Sequence, residues 1–391
     1  MRLFLSVIVL GGSLLLLSCG AALESSKPLA YGAPESVGFN AARLARLDSI
    51  MHNALADSTF PAAQLCVIKD NFIVYNKAFG RYTYDVNAPQ TNLQTMFDMA
   101  SLTKVVATTS AVMKLCDEKK LSLDDKVSKF VPAFAKGTKS NITIRHLMLH
   151  NSGLPPFRQL WKFVPEAKDA IDSVYATSLV ANPGDTTIYS DLGFITLGKI
   201  IENVSGMRLN EYVSRNFFQP LGMTRTMFLP FDFKDQCAPT EFDSLWRKHL
   251  VQGIVHDENA DFLGGVSGHA GLFSTASDVA IFMQMLLNGG DYDGRSYLES
   301  STVTMFTKRQ SERSTRALGW DTKSAKGASA GNLFSPNSFG HTGFTGTSIW
   351  VDPERNLAVI LVTNRVHPMR ANTKIFKIRP AVADAVIEAL R

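Results

Sequence analysis

Cysteine is scarce in this sequence, with four residues among 391. Apart from Cys19, near the N terminus, the chain has Cys66, Cys116 and Cys237, and an odd number at scattered spacing does not indicate a disulfide framework. The chain also lacks a basic block, because its net charge of +5 at pH 7 is spread along the sequence. We therefore expect no nucleic-acid partner. With 45% hydrophobic and 19% charged residues, the composition is that of a globular protein with a large core.

A long hydrophobic run stands at the N terminus, in "MRLFLSVIVLGGSLLLLSC", residues 1–19. One positive charge, Arg2, precedes an apolar run that is too short for a membrane span, which is typical of a secretory signal. The ending "LLSC" resembles a bacterial lipobox, which implies cleavage before Cys19 and lipidation of its thiol. The alternative is an ordinary signal peptide that contains a cysteine. Residues 20–35 are small and polar and are predicted to be a tether. We expect an exported protein, lipid-anchored to a bacterial membrane and facing the periplasm.

The periodicity of the remaining chain predicts strands near both ends and helices between them. Residues 40–56 have apolar side chains at helical spacing, and the strands "AQLCVIKD" and "FIVYNKAFG" follow. The middle of the chain is mostly helical, apart from an aperiodic stretch at 224–266. Near the C terminus, "TSIWVDPERNLAVILVTN" predicts a hairpin that turns at Asp352-Pro353, and a last helix is expected over 380–390.

This order predicts an antiparallel sheet built from both chain ends, flanked by helices, with a helical lobe inserted in the middle. We expect one domain over 36–391. Its sheet lobe would comprise about 36–125 and 320–391, and its helical lobe about 126–319. A cleft between the lobes is the natural place for a site.

The stretch "FDMASLTKVVATTSAVMKLC", residues 97–116, predicts a helix with an unusual start. Ser101 would be a reasonable N-cap, but Lys104 stands where Glu or Gln would complete a capping box. A cation at this end of a helix is disfavoured by about 0.3–1 kcal/mol. A serine nucleophile needs a neighbouring base, and residues three apart share a helix face, so we interpret Lys104 as present for chemistry. A Ser-x-x-Lys pair also occurs by chance, so further motifs are needed before it indicates a serine nucleophile.

Two further motifs are present, Tyr189-Ser190-Asp191 before a predicted helix and His341-Thr342-Gly343 at the start of a strand. In this order after Ser-x-x-Lys, the motifs resemble those of serine hydrolases of the class C β-lactamase and penicillin-binding protein family. The resemblance covers nearly the whole chain after residue 35. It implies an α/β (α+β) fold of the β-lactamase/transpeptidase type and no cofactor.

The resemblance also implies catalytic roles for the matching residues. Ser101 would be the nucleophile that forms an acyl-enzyme. Lys104 would take part in proton transfer and favour the phenolate of Tyr189, which would be the general base. The backbone amides of Ser101 and Phe344 would form the oxyanion hole.

Four residues are expected to bind substrate, and two of them depart from the family pattern. Thr342 and Gly343 would form the strand edge along which the substrate lies. Asp191 stands where the family often has Asn, and an ionised carboxylate can only accept hydrogen bonds, so we expect it to hold Lys104 or a substrate N–H. His341 replaces the lysine of penicillinases. If a charged His341 orients a substrate carboxylate, activity on anionic peptides should fall as the pH rises through its pKa.

The substrate class is suggested by residues 238–265, "APTEFDSLWRKHLVQGIVHDENADFLGG". This stretch resembles the branch of muropeptide amidases and low-activity D-alanyl-D-alanine carboxypeptidases. We expect hydrolysis of a muramoyl–L-alanine or a terminal D-alanyl bond in muropeptides, with weak or no β-lactamase activity. The alternatives are a carboxylesterase with the same machinery, and a lipid-anchored penicillin- or peptide-binding protein that is acylated without turnover.

The sequence predicts the roles of other polar residues less specifically. A zinc site could be imagined from His256, Asp257, Glu258 and His269. Their spacing matches no metal motif, so we expect a polar loop lining the cleft and no metal. His150 is expected to be a buried, hydrogen-bonded histidine. Arg365 would either bind a substrate carboxylate or be solvated.

Overall fold

The structure is a computed structural model that describes residues 27–391. The predicted signal segment and Cys19 lie outside these residues. In chain order the strands β1 to β12 are Ala30–Tyr31, Ala62–Lys69, Phe72–Gly80, Phe97–Asp98, Met227–Phe228, Leu272–Ser274, Asp291–Tyr292, Arg295–Ser296, Asp321–Thr322, Phe339–Thr342, Ser348–Asp352 and Leu357–Thr363. The helices α1 to α12 are Ala41–Leu44, Arg46–Ala56, Ser110–Asp117, Ile144–Met148, Leu160–Phe163, Ala170–Ala176, Asp191–Ser205, Leu209–Val213, Glu258–Phe262, Ala276–Leu287, Ser300–Thr307 and Ile375–Glu388.

The main sheet combines strands from both ends of the chain, in the order β1-β3-β2-β12-β11-β10-β9. Neighbouring strands from β3 to β9 are antiparallel, as the sequence predicts. The central contact joins β2 to β12, from Ala63 opposite Thr363 to Lys69 opposite Leu357. The sheet therefore holds the two chain ends together and leaves the middle of the chain to form the helical lobe.

The N-terminal edge of the sheet differs from the expected arrangement. Residues 30–31, within the predicted tether, form β1 and pair in parallel with Phe72 and Ile73 of β3. The polar composition of residues 20–35 does not reveal this pairing, because two residues are too few to show a strand period. The ordered domain therefore begins before residue 36.

Alternation along β2 explains why helices cover both faces of the sheet. Cys66 and Ile68 pack into the core shared with the helical lobe, whereas Leu65 and Val67 pack into a second core. That second core is completed by residues of α2 and α12, such as Met51. Because successive side chains of a strand point to opposite faces, one apolar strand builds both cores.

The last helix begins earlier than the pattern predicts. It starts at Ile375 and contains Pro380, where the sequence suggested the helix start. A proline inside a helix removes one backbone hydrogen bond and crowds the carbonyl group one turn earlier, but the buried Ile375 and Val382 anchor the helix on both sides of Pro380. This early start places Arg379 on the buried side of α12, next to the cleft.

No helix in the described part of the chain, residues 27–391, is long and apolar enough to cross a membrane.

Candidate active site

Ser101 lies on a strained turn between β4 and the helix that leads into α3. Residues 100–102 form a single 3₁₀ turn, and Lys104–Thr109 are π-helical. Ala100 has φ 46°, a left-handed conformation that costs a non-glycine residue about 1–3 kcal/mol. The buried Asp98 carboxylate holds this turn by accepting from the Ala100 amide at 2.7 Å. Ser101 is therefore not the N-cap that the pattern allowed, and its hydroxyl faces Lys104 and the cleft.

Lys104 is a fully buried cation surrounded by oxygen atoms. Its Nζ lies 3.0 Å from Ser101 Oγ, 3.0 Å from the carbonyl oxygen of His269 and 2.7 Å from Asp191 Oδ1. Burial alone would lower the pKa of Lys104, but attraction to Asp191 and Tyr189 outweighs it and raises the pKa above its ordinary value. Lys104 is consequently an ammonium at neutral pH, hydrogen-bonded to Ser101.

Tyr189 is surrounded by cations and imidazole rings beside Ser101. Its ring centroid lies 4.9 Å from Lys104 Nζ and 5.2 Å from Arg316 Cζ. The ring centroids of His150 and His341 are 4.4 Å and 5.9 Å away. The tyrosine thus occupies a fixed position between Lys104 and the third motif.

His150 is buried behind Tyr189, as the sequence suggested. Its Nδ1 accepts a 3.0 Å hydrogen bond from the Ser190 amide, and its ring also stacks on Phe194. Burial lowers the pKa of His150 well below its ordinary value, and the nearby Arg316 and Lys104 lower it further. The lowered pKa favours an uncharged His150, whose ring packs against that of Tyr189.

The third motif ends β10 on the opposite wall of the cleft. His341 is buried, and its Nδ1 donates to the carbonyl oxygen of Thr342 at 2.8 Å. Burial, with added repulsion from Arg316 and Lys104, lowers the pKa of His341 well below its ordinary value. The lowered pKa favours the neutral imidazole over the charged form on which the conditional prediction for anionic peptides depends.

A cavity of about 340 Å³ joins these walls. Ser101 and Tyr189 line it together with residues 341–344, so the sequence-predicted residues converge, with Lys104 and Asp191 behind them. The Asp191 carboxylate is partly exposed to solvent and forms an ion pair with Lys104.

Three arginines also line this cavity, Arg316, Arg365 and Arg379. Sequence reasoning missed Arg316 and Arg379, because neither belongs to a motif and their position depends on long-range packing. Among the described residues, no carboxylate lies within ion-pair distance of the Arg316 guanidinium, and its side chain makes no hydrogen bond. Arg316 is thus a cation available to a ligand in the cleft.

The expectation that Arg365 is solvated was wrong, and binding of a substrate carboxylate by Arg365 stays a prediction. The side chain is buried, so it is not solvated, and its guanidinium is already occupied by backbone. It donates to the carbonyl oxygens of Phe344 at 2.8 Å and Arg370 at 2.9 Å, and to that of Asn372. Arg365 therefore fixes loops around the cleft and has few donors left for a substrate.

The residues considered for zinc are held by neighbouring side chains in two groups, one of which joins His256, Glu241, Arg370 and Glu258. His256 pairs with Glu241 at 2.8 Å and His269 with Asp257 at 2.8 Å. Glu258 pairs with Arg370 at 2.6 Å. Within residues 27–391, no three side chains of the metal-binding types converge.

These features agree with the comparison to known proteins. Residues 47–383 match the family model described as Beta-lactamase. This match covers most of the chain, and the chain therefore belongs to the Beta-lactamase family.

Sequence relatives refine this assignment. The chain is 36% identical over 391 residues to an Escherichia coli K12 protein named "Putative D-alanyl-D-alanine carboxypeptidase", with 91% of this chain and 90% of the relative covered. A Salmonella typhi protein of the same name is 36% identical over 383 residues, covering 89% of this chain and 88% of the relative. Family and relatives together identify the protein as a serine hydrolase.

Solved structures confirm the β-lactamase/transpeptidase-like fold. A penicillin-binding protein homologue from Caulobacter crescentus superposes with a TM-score of 0.72 at 19% identity, covering 89% of this chain and 98% of that chain. EstCE1, a hydrolase with promiscuous acyltransferase activity, superposes with a TM-score of 0.70 at 22% identity, covering 90% and 99%. At these identities the similarity concerns the fold alone.

Proposed function

We propose that the protein is a carboxypeptidase of peptidoglycan-derived peptides that removes a terminal D-alanine through an acyl-enzyme on Ser101. The observation that carries this proposal is the guanidinium of Arg316, which has no carboxylate partner in the described chain and lies 5.2 Å from the Tyr189 ring. A carboxypeptidase must recognise the free carboxylate of its substrate, and arginine binds carboxylates in a planar, two-point geometry. The carboxypeptidase-named relatives support the same substrate class.

The proposed mechanism assigns the proton transfers to Tyr189. Lys104 is already protonated, because its pKa is raised, so it cannot take the proton of Ser101. Tyr189, acting as its phenolate, accepts this proton as Oγ attacks the peptide carbonyl carbon, and the N–H groups of Ser101 and Phe344 stabilise the resulting oxyanion. The C–N bond then breaks as Tyr189 returns the proton to the leaving amine. Water hydrolyses the acyl-enzyme by the same relay.

The bond that is cut can be read directly by mass spectrometry. The protein from residue 20 onward would be incubated with soluble pentapeptide muropeptides, beside a Ser101→Ala control. The proposal predicts loss of one D-alanine with the wild type and none with the control. Release of the whole peptide stem would show a muramoyl–L-alanine amidase instead.

Arg316→Gln tests how the carboxylate is recognised. A hydrogen bond to a charged group contributes about 1.5–3 kcal/mol, so we expect kcat/KM on the pentapeptide to fall about 10- to 100-fold. The same peptide with an amidated C terminus should be hydrolysed equally by both proteins. Arg313→Gln, at an exposed position of the same segment, is the matched control. An equal loss on both peptides would contradict carboxylate recognition by Arg316.

A carboxylesterase is the second candidate, and the neutral His341 favours it. With this residue uncharged, the third motif supplies no cation for an anionic substrate. Esters also need less leaving-group activation than amides. Turnover of simple p-nitrophenyl esters that is unaffected by Arg316→Gln, with no activity on muropeptides, would support this function.

We also infer export and lipid anchoring through Cys19, from the sequence of residues 1–19. A Cys19→Ser variant should leave the membrane fraction when expressed in a bacterial host, whereas Cys116→Ser should remain there. Equal fractionation of Cys19→Ser and the wild type would contradict the anchor.

A further inference from the structure

Arg379 is a buried cation beside the cleft. Its side chain is 6% exposed, and within the described residues no carboxylate lies within ion-pair distance of it. Burial, together with the neighbouring Arg365, lowers the pKa of Arg379 to about 9. Isolated buried charges are costly, so an arginine in such a place must be compensated by other polar groups.

The compensation comes from three carbonyl groups of one turn. Arg379 Nη2 donates to the carbonyl oxygens of Gly343 at 2.7 Å and Thr347 at 2.8 Å, and Nε donates to that of Gly346 at 3.2 Å. This turn connects β10 to β11 and includes Phe344. The guanidinium therefore holds the turn that follows the third motif from its buried side.

One of these contacts determines where the Phe344 amide points. The Gly343 carbonyl and the Phe344 N–H belong to a single planar peptide group, and in a trans peptide they point in opposite directions. With the oxygen fixed on Arg379, the N–H is directed away from Arg379. Among the described residues, the Phe344 N–H donates to no protein acceptor. It is thus free for a ligand in the cleft, which Phe344 lines together with Ser101.

Neighbouring contacts tie the turn to the segment that carries Ser101. Thr345 Oγ1 donates to the carbonyl oxygen of Asp98 at 2.7 Å, and Thr347 Oγ1 donates to that of Met99 at 3.2 Å. Arg365 Nε holds the next peptide group through the Phe344 carbonyl at 2.8 Å. The orientation of the Phe344 amide is therefore fixed relative to the nucleophile.

We propose that Arg379 is a positioning residue for the oxyanion hole, holding the 343–344 peptide so that the Phe344 N–H faces the reacting carbonyl and polarising that N–H through the Gly343 oxygen. A charged donor on the carbonyl side of an amide withdraws electrons from it and strengthens its N–H as a donor. This inference rests on the proposed roles of Ser101 and Phe344. A positioning role accounts for a buried cation that no acid of residues 27–391 neutralises.

Two variants separate geometry from charge. Arg379→Lys keeps the charge but loses the planar fork, and Arg379→Gln keeps a donor but loses the charge. Removing one oxyanion-hole donor costs about 10²–10³ in kcat, so we expect kcat on a p-nitrophenyl ester to fall about 10-fold or more in each variant. KM should change little, because the hole acts on the transition state. Arg81→Lys is the matched control, since Arg81 donates to the Ala88 carbonyl in the loop that follows β3.

Infrared spectroscopy of the acyl-enzyme measures how strongly the ester carbonyl is polarised. This polarisation would not change if Arg379 only stabilised the fold. A weaker oxyanion hole polarises the ester carbonyl less, so its stretching band should shift to higher frequency in both Arg379 variants and stay in place in Arg81→Lys. Rates would be expressed per site titrated with a fluorophosphonate, so that partly folded preparations remain informative. A lower Tm with unchanged kcat per site and an unshifted band would overturn the proposal. A wild type that forms no acyl-enzyme on Ser101 would instead refute the proposed function.

Discussion

The ion pair between Lys104 and Asp191 gives the sharpest prediction on stability. Asp191→Asn preserves the shape of the side chain and removes the charge that lies 2.7 Å from Lys104 Nζ. Breaking a buried ion pair by removing one partner costs about 3–5 kcal/mol. Because Ser101 Oγ and the His269 carbonyl still contact Lys104, we expect the lower end, about 3 kcal/mol of unfolding free energy at pH 7.

The pH dependence of this loss has a definite sign. In the wild type the pKa of Lys104 is raised above its ordinary 10.5, so the pair's contribution is fully present below that pH. In Asp191→Asn the main attraction is gone and burial lowers the pKa of Lys104, so the folded state binds fewer protons than the unfolded state. The stability of the variant then increases as the pH rises towards 10.5. The difference from the wild type should therefore shrink between pH 7 and about pH 9.5.

Urea unfolding of both proteins at the two pH values measures this directly. Asp57→Asn is the matched control, because Asp57 pairs with Lys374 at 3.1 Å on the surface and should lose at most about 1 kcal/mol. A loss in Asp191→Asn no larger than in Asp57→Asn would refute the reasoning. So would a loss that stays constant from pH 7 to about pH 9.5.

Two other substitutions test the third motif. His341 is neutral when folded and takes up a proton when unfolded below its ordinary pKa of 6.5. The wild type should consequently lose about 1.4 kcal/mol more than His341→Gln between pH 8 and about pH 5.5 in urea unfolding, and parallel curves would contradict this. Gly343→Ala would place a methyl 2.1 Å from Thr347 Oγ1 and 2.7 Å from the Met99 carbonyl. We expect thermal unfolding to show a free energy of unfolding that is lower by about 1–3 kcal/mol, and we expect a lower kcat. A variant with wild-type Tm and kcat would show that the turn accommodates the methyl group.

Much of the fold could be predicted because local patterns determine it. The apolar β2 and β12 carry the residue types of strands, and their places near the chain ends predict a shared sheet. The helix α7 begins at Asp191 after the Ser190 cap and ends before Gly206, following the usual start and stop signals. These elements depend on neighbours in sequence, so the sequence alone suffices.

The parts that could not be predicted depend on distant contacts. The left-handed Ala100 is the first residue of the 3₁₀ turn that follows β4, and no residue preference predicts its conformation. Arg316, Arg365 and Arg379 look alike in the sequence, yet within the described residues the Arg316 side chain makes no hydrogen bond, whereas those of Arg365 and Arg379 donate to backbone carbonyls. The neutral state of His341 likewise follows from its burial near Arg316. The roles of such residues appear only when the fold brings them together.

The central claim is that Ser101 is the acylated nucleophile, and covalent labelling tests it most directly. The wild type and Ser101→Ala would be treated with a fluorophosphonate, digested and analysed by mass spectrometry. We expect a single phosphonate on the peptide that contains Ser101, and no labelling of Ser101→Ala. Equal labelling of the two proteins, or a phosphonate on a different residue of the wild type, would contradict it.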